Sequence, residues 1–151
     1  MKYFALTILA ILLGRISYGQ TRGTDARCIN GVIEGFTNAF QQRKLSSVLD
    51  YWSKSPYISY ADAEKISQHI RGREAVCFTL TKYLCENPEK EGGEVTLKNF
   101  VVGINDAMAW AKYTENQSLG KDFEKVKYNS CLLEKVNGQW KIVAFMSKTE
   151  P

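Results

Sequence analysis

From Asp25 onward the apolar residues Ile29, Val32, Ile33, Phe36 and Phe40 recur at intervals of three and four. That spacing predicts an amphipathic helix reaching about Gln42. Thr24 or Asp25 can cap its first turn by accepting a bond from a free backbone N–H. Leu45, Val48, Leu49 and Trp52 repeat the spacing over a second, shorter helix, which Pro56 stops. Tyr57-Ile58-Ser59-Tyr60 is a short β-rich run, and a polar loop is expected from Ala61. The loop leads to Arg71-Gly72-Arg73-Glu74-Ala75-Val76, where a third helix begins with Val76, Leu80, Tyr83 and Leu84 on one stripe. Asn87-Pro88 ends it, and Glu89 to Glu94 reads as a charged loop.

Beyond Glu94 the period drops from about 3.6 to about 2. Strands are predicted over Val95–Ile104, Ala107–Glu115, Asp122–Val136 and Gln139–Lys148. Asn105-Asp106 turns the first pair, and Gln117 to Lys121 forms a longer connection. Asn137-Gly138 is the strongest turn signal, because both residues tolerate the positive φ of a type I′ hairpin. Helices followed by an antiparallel meander predict an α+β architecture with the helices on one sheet face. On the second strand Ala107, Ala109, Ala111 and Tyr113 share one face, and Met108, Trp110 and Lys112 share the other.

Composition narrows the class. A chain of 151 residues, 44% hydrophobic and 24% charged, supports one domain and excludes wholesale disorder. The N-terminus has Lys2, the apolar run Phe4 to Leu13, and then Ser17-Tyr18-Gly19-Gln20. This is the pattern of a secretory signal peptide, with cleavage expected between Gly19 and Gln20. Its apolar run is about half of the ~20 residues a membrane span needs. The expected product is a secreted or periplasmic domain, residues 20–151, with no stable membrane span. The formal charge of +4 falls to +2 once Lys2 and Arg15 are removed. With no basic block, no nucleic-acid partner is expected.

Four cysteines, Cys28, Cys77, Cys85 and Cys131, lie in the expected mature chain. Cys77 and Cys85 sit eight residues apart on one predicted helix, a rise of about 12 Å, too far for a bridge. Two disulfides would have to join Cys28 and Cys131 to that helix. The alternative is four small buried thiols. Absence of a CxxC spacing points away from a zinc knuckle or redox pair.

The long first helix, the short helix ending in Trp52 and the strand Tyr57–Tyr60 come in a distinctive order. The Arg71-Gly72-Arg73-Glu74-Ala75 segment follows, and the hairpin Leu133-Glu134-Lys135-Val136-Asn137-Gly138-Gln139-Trp140-Lys141-Ile142 closes the chain. Over residues 25–148 this arrangement resembles the nuclear transport factor 2-like superfamily, the cystatin-like α+β roll. Within it, the chain is similar to the SnoaL-like and ketosteroid-isomerase-like domains. The resemblance implies a cone-shaped roll, with three N-terminal helices packed on a strongly bent antiparallel sheet and a pocket at the open end. It also implies a homodimer through the outer sheet face, where Met108 and Trp110 would lie. It implies no particular reaction, because the superfamily includes isomerases, cyclases, dehydratases, epoxide hydrolases and binding modules.

The isomerase-like members pair a carboxylate base with an oxyanion hole made by a tyrosine and a protonated acid. By position these fall at Tyr60, Phe36 and Ser130–Leu132, none of which is a matching group. Asp62, two residues past Tyr60, could stand in as the base or be a solvated turn former. The cyclase-like His/Asp pair would need His69, the only histidine, which is either a proton-handling group in the pocket mouth or a polar loop residue. One histidine also excludes zinc sites built from two or more. No Gly-x-Ser-x-Gly elbow is present, and Gly92-Gly93 lacks the Lys and spacing of a phosphate loop. No cofactor is expected. Phe36, Trp52, Tyr60 and Tyr113 either line a pocket or belong to the core, and Asn116-Gln117-Ser118 matches a glycosylation pattern.

Three readings follow. The first is an exported protein binding a small hydrophobic molecule in an apolar cone pocket. The second is a SnoaL-like isomerase, cyclase or lyase with Tyr60, Asp62 or His69 handling protons. The third is a dimerisation or protein-interaction module. Converging polar groups would favour the second, an apolar pocket the first and a filled cone the third.

Overall fold

The computed structural model describes residues 23–64, 66–89, 93–118 and 124–149; the expected signal peptide and its cleavage site lie outside them. The elements are α1 (residues 23–41), α2 (Leu45–Asp50), β1 (Ser59–Asp62), β2 (Ile66–Arg71) and α3 (Arg73–Glu86). Four long strands follow, β3 (Glu94–Asn105), β4 (Met108–Ser118), β5 (Glu124–Val136) and β6 (Gln139–Thr149). Among the described residues no helix is long and apolar enough to cross a membrane.

Helix α1 buries Ile29, Ile33, Phe36 and Phe40, the stripe its periodicity predicts. Asp25 lies inside the helix and ties it to the closing hairpin: its Oδ1 accepts from Lys135 Nζ at 2.6 Å and Trp140 Nε1 at 3.0 Å. At the other end Arg43 takes φ 58°. Its Nε donates to Glu89 O at 3.0 Å, and its guanidinium lies over the Phe40 and Tyr83 rings. The end of α1 is thereby pinned to α3. Helix α3 starts at Arg73, inside the expected entry segment, where Gly72 at φ 90° makes the turn that L side chains rarely adopt.

The polar segment expected to be a loop is strand β2, paired antiparallel with β1 through Ser59–Arg71 and Tyr60–Ile70. It is the sheet's edge, and a solvated edge strand carries little hydrophobic alternation to read. Strand order is β2-β1-β6-β5-β4-β3. The sheet is antiparallel except that β1 and β6 run parallel, because the chain leaves β1 through β2 and α3 and returns along the far side. Register shifts at Tyr60/Asp62, Lys98/Val101 and Leu132/Leu133 curl it around the helices. Asn137 and Gly138 both have positive φ, as their hairpin requires. Ala107 is exposed in the preceding turn rather than on the inner face with Ala109 and Ala111.

Inside the cone Phe36, Trp52, Tyr60 and Phe145 form a ring cluster. Centroids lie 5.5 Å apart for Phe36–Phe145 and Tyr60–Phe145, and 6.1 Å for Phe36–Trp52 and Trp52–Tyr60. All four cysteines are free thiols. Cys28 and Cys85 are exposed and only Cys131 is fully buried, so neither the two-bridge scheme nor four buried thiols describes them.

Candidate functional site

The register places three rungs of side chains along the inner sheet face, and their polarity changes from one rung to the next. The deepest runs Tyr60–Phe145–Cys131–Ala111. The next is Asp62–Ser147–Asn129–Tyr113, and beyond it lie Thr149, Lys127 and Glu115. Each strand thus steps from apolar to polar at every second residue toward the same open end. Between the outer two rungs and the end of α1 lies a cleft of about 30 Å³, room for about two waters. Asp62, Glu115, Lys127 and Ser147 line it together with Thr37, Phe36, Tyr60 and Phe145.

Burial makes these groups chemically unusual. Asp62, Lys127, Asn129 and Ser147 are each 5% exposed or less. Lys127 Nζ lies 3.8 Å from Glu115 and 3.5 Å from Glu64, and a buried ammonium survives only with such partners. Asp62 Oδ2 is 3.4 Å from the Tyr60 hydroxyl, and its Oδ1 accepts from the Glu64 backbone N–H at 3.0 Å. Both amide atoms of Asn129 are buried without a hydrogen-bond partner, whereas the Tyr113 hydroxyl beside it on the rung has Cys131 and Thr37 within reach. An unsatisfied buried amide is costly.

The protonation states divide the labour. Burial pushes the Tyr60 hydroxyl well above its usual pKa, and neighbouring Asp62 adds to it. Burial does the same to Tyr113, beside Cys131, and raises the Cys131 thiol to about 12. At neutral pH all three keep their protons and serve as donors, which leaves the carboxylates as acceptors.

Glu64 sits at the rim. Partial burial alone would raise its pKa. Hydrogen bonds from Lys125 and Thr149 and the charge of Lys127 outweigh that and pull it down to about 2. Asp25 is also lowered, by its bonds from Lys135 and Trp140. Carboxyls depressed on folding contribute stability that is complete above their unfolded pKa and disappears as pH falls through the folded one. The urea midpoint should therefore hold from neutrality to about pH 4.5 and then fall toward pH 2. A Glu64→Gln variant should show a visibly flatter acid limb; an unchanged limb would remove Glu64 from the network.

Of the residues singled out from the sequence, Phe36, Tyr60 and Asp62 meet at the cleft. Tyr113 shares the Asp62 rung, while Trp52 belongs to the ring cluster behind it. His69 is not in the mouth. It is exposed on the other sheet face, where it lines a groove of about 250 Å³ with Trp110, Leu132 and Met146. Two-residue periodicity on a strand adjoining β1 carried it to that side. Glu115, Lys127, Asn129 and Ser147 were not singled out beforehand. Alternation could have found them, since each lies at an even spacing from Tyr113, Cys131 or Phe145 on its strand. Asn116 of the glycosylation pattern is partly buried, and its Nδ2 donates to Glu124. Among the described residues no group of His, Cys, Asp and Glu could hold a metal ion.

Comparison with known proteins agrees with this fold. The family model of the SnoaL-like domain matches residues 29–146. A candidate dehydratase of the nuclear transport factor 2-like family from Streptomyces avermitilis superposes with a TM-score of 0.69 at 13% identity, covering 85% of this chain and 97% of that one. A candidate scytalone dehydratase from Novosphingobium aromaticivorans gives 0.66 at 14% identity, with 87% and 88% covered. A candidate ketosteroid isomerase from Shewanella frigidimarina gives 0.62 at 16%, with 80% and 94% covered. At such identities the likeness shows the fold. No protein of curated function matches the sequence significantly.

Proposed function

Because the chain belongs to the SnoaL-like domain family, we propose that it is an exported acid–base enzyme of the isomerase, cyclase or lyase kind. Its substrate is a small neutral molecule carrying carbonyl or hydroxyl oxygen, bound at the polar end of the cone. One observation carries this reading: Asp62, with the Tyr60 hydroxyl 3.4 Å away, converges on a single cleft with Ser147, Lys127 and Glu115. Asp62 accepts a proton from the substrate, Tyr60 stays protonated beside it, and Lys127 stabilises negative charge developing on the substrate oxygen. Asp62, Glu64 and Glu115 against Lys125 and Lys127 leave the rim formally at −1, which favours a neutral ligand over an anion. The apolar half of the cone is occupied by its own four rings, which weighs against a small hydrophobic ligand there. Export rests on the segment from Lys2 to Gln20.

The test is carbon-bound proton exchange. Hydroxyacetone and acetoin incubated with the protein in deuterium oxide should lose the proton beside their carbonyl faster than in buffer, as read by NMR. Exchange no faster than in buffer, or equally fast with Asp62→Asn, would overturn the assignment.

We also propose a homodimer through the outer sheet face. Met108, Trp110, Leu132 and Met146 are 43–56% exposed there, a cluster of large apolar side chains that a monomer seldom leaves in water. Trp110 packs its indole over Gly103 on the paired strand, which holds it flat. Trp110→Glu should turn a dimer into a monomer in light scattering, with the far-UV spectrum unchanged. A wild-type monomer would end the proposal.

A further inference from the structure

The cleft is too small for any substrate larger than water, and one residue beside it holds two of the groups that line it, Asp62 and Lys127. Glu64 follows β1, in the turn leading to β2. Its carboxylate reaches Lys125 at 2.5 Å and Lys127 at 3.5 Å on β5, and accepts from Thr149 Oγ1 at 2.5 Å on β6. The backbone is tied as well: Ala63 N–H donates to Ser147 O at 3.2 Å, and Glu64 N–H donates to Asp62 Oδ1 at 3.0 Å. The rim turn is therefore held at the inner face by five contacts. Two of the contacted residues, Asp62 and Lys127, are the groups assigned above to proton transfer and charge stabilisation.

We propose that Glu64 is a latch: bound to Lys125, Lys127 and Thr149 it holds the rim turn across the inner face beside the cleft and engages Lys127, and release of its carboxylate widens the cleft and frees Lys127 for substrate. This rests on the acid–base reading of the cleft but is measured without turnover. The strap is only partly buried, with Glu64 and Lys125 side chains 27% and 28% exposed. An ionic latch so placed is held firmly enough to bias the closed form and remains open to competition by salt. Substrate then binds the open form, and its affinity is reduced by the fraction that stays closed.

Cys131 is the reporter. It is buried on the inner face, one alternation deeper than Asn129 on β5, whereas Cys77 on α3 senses general loosening. Labelling by methyl methanethiosulfonate, resolved by peptide mass spectrometry, should be about tenfold faster at Cys131 in Glu64→Gln than in wild type, the scale of losing one partly buried ion-pair network. Lys125→Met should act the same way and more weakly. Sodium chloride at about 1 M should speed Cys131 labelling in the wild type toward the Glu64→Gln rate and leave that variant nearly unchanged. Cys77 should keep its rate throughout. An unchanged Cys131 rate in both variants, or Cys77 rising in step with Cys131, overturns the latch. Failure of the acid–base reading would appear elsewhere, as proton exchange that survives Asp62→Asn.

Discussion

Asp62→Asn is expected to lower the rate of carbon-bound proton exchange by about 10²–10⁴-fold, the range over which a positioned general base acts. The substitution keeps the shape of the side chain and its Oδ1, so the bond from Glu64 N–H and the approach of the Tyr60 hydroxyl both survive. What disappears is the ability to take a proton. Stability should move far less than rate, which separates a catalytic loss from unfolding; matched urea curves for the two proteins check this. Glu115→Gln provides the internal comparison, because Glu115 lines the same cleft and lies 3.8 Å from Lys127. It should cost less than tenfold. If the order of the two effects is reversed, the accepting carboxylate is Glu115 and the geometry around Asp62 has another use.

Phe145→Ala should be the most destabilising single change in the cone. Phe145 stacks on Tyr60 with planes 12° apart, tilts against Phe36, and heads the side of the cleft that meets Ser147. Removing a buried aromatic ring costs about 3–5 kcal/mol through lost transfer energy and the cavity left behind. For a domain of this size the melting temperature should drop by about 10–20 °C. The cavity would be apolar on three sides, and such cavities stay dry and take up benzene. Benzene should therefore recover part of the lost melting temperature in the variant and leave the wild type unaffected. A wild type stabilised by benzene as strongly as the variant would restore the small hydrophobic ligand as the occupant of this cone.

Both predictions depend on a division within the cone that the chain announces strand by strand. Ala109, Ala111, Tyr113, Glu115 and Gln117 on β4, and Leu133, Cys131, Asn129 and Lys127 on β5, run from apolar to polar at every second position in the same spatial direction. The family resemblance drew attention to Tyr60 and to the region of Ser130–Leu132 as expected catalytic positions. It drew attention away from Lys127 and Asn129, which lie a rung or two nearer the rim on the same strand.

Period, length and punctuation along the chain were enough for the three helices, the four long strands, the Asn137-Gly138 turn and the α+β roll. Those features depend on local backbone preference and on which residues must leave water, and both are written in the order of side chains. The sequence pattern ended the strand at Tyr60 and left Asp62 in a loop, whereas β1 runs on to Asp62 because its ladder with β6 continues to Ser147. Which face His69 occupies, the pairing of polar β2, and the parallel contact of β1 with β6 were decided only by the folded structure. So was the meeting of Asp62 with Lys127, Asn129 and Glu64 at one rim. Each depends on the register between strands distant in sequence, and register is a property of the assembled sheet, whose bulges shift it one residue at a time.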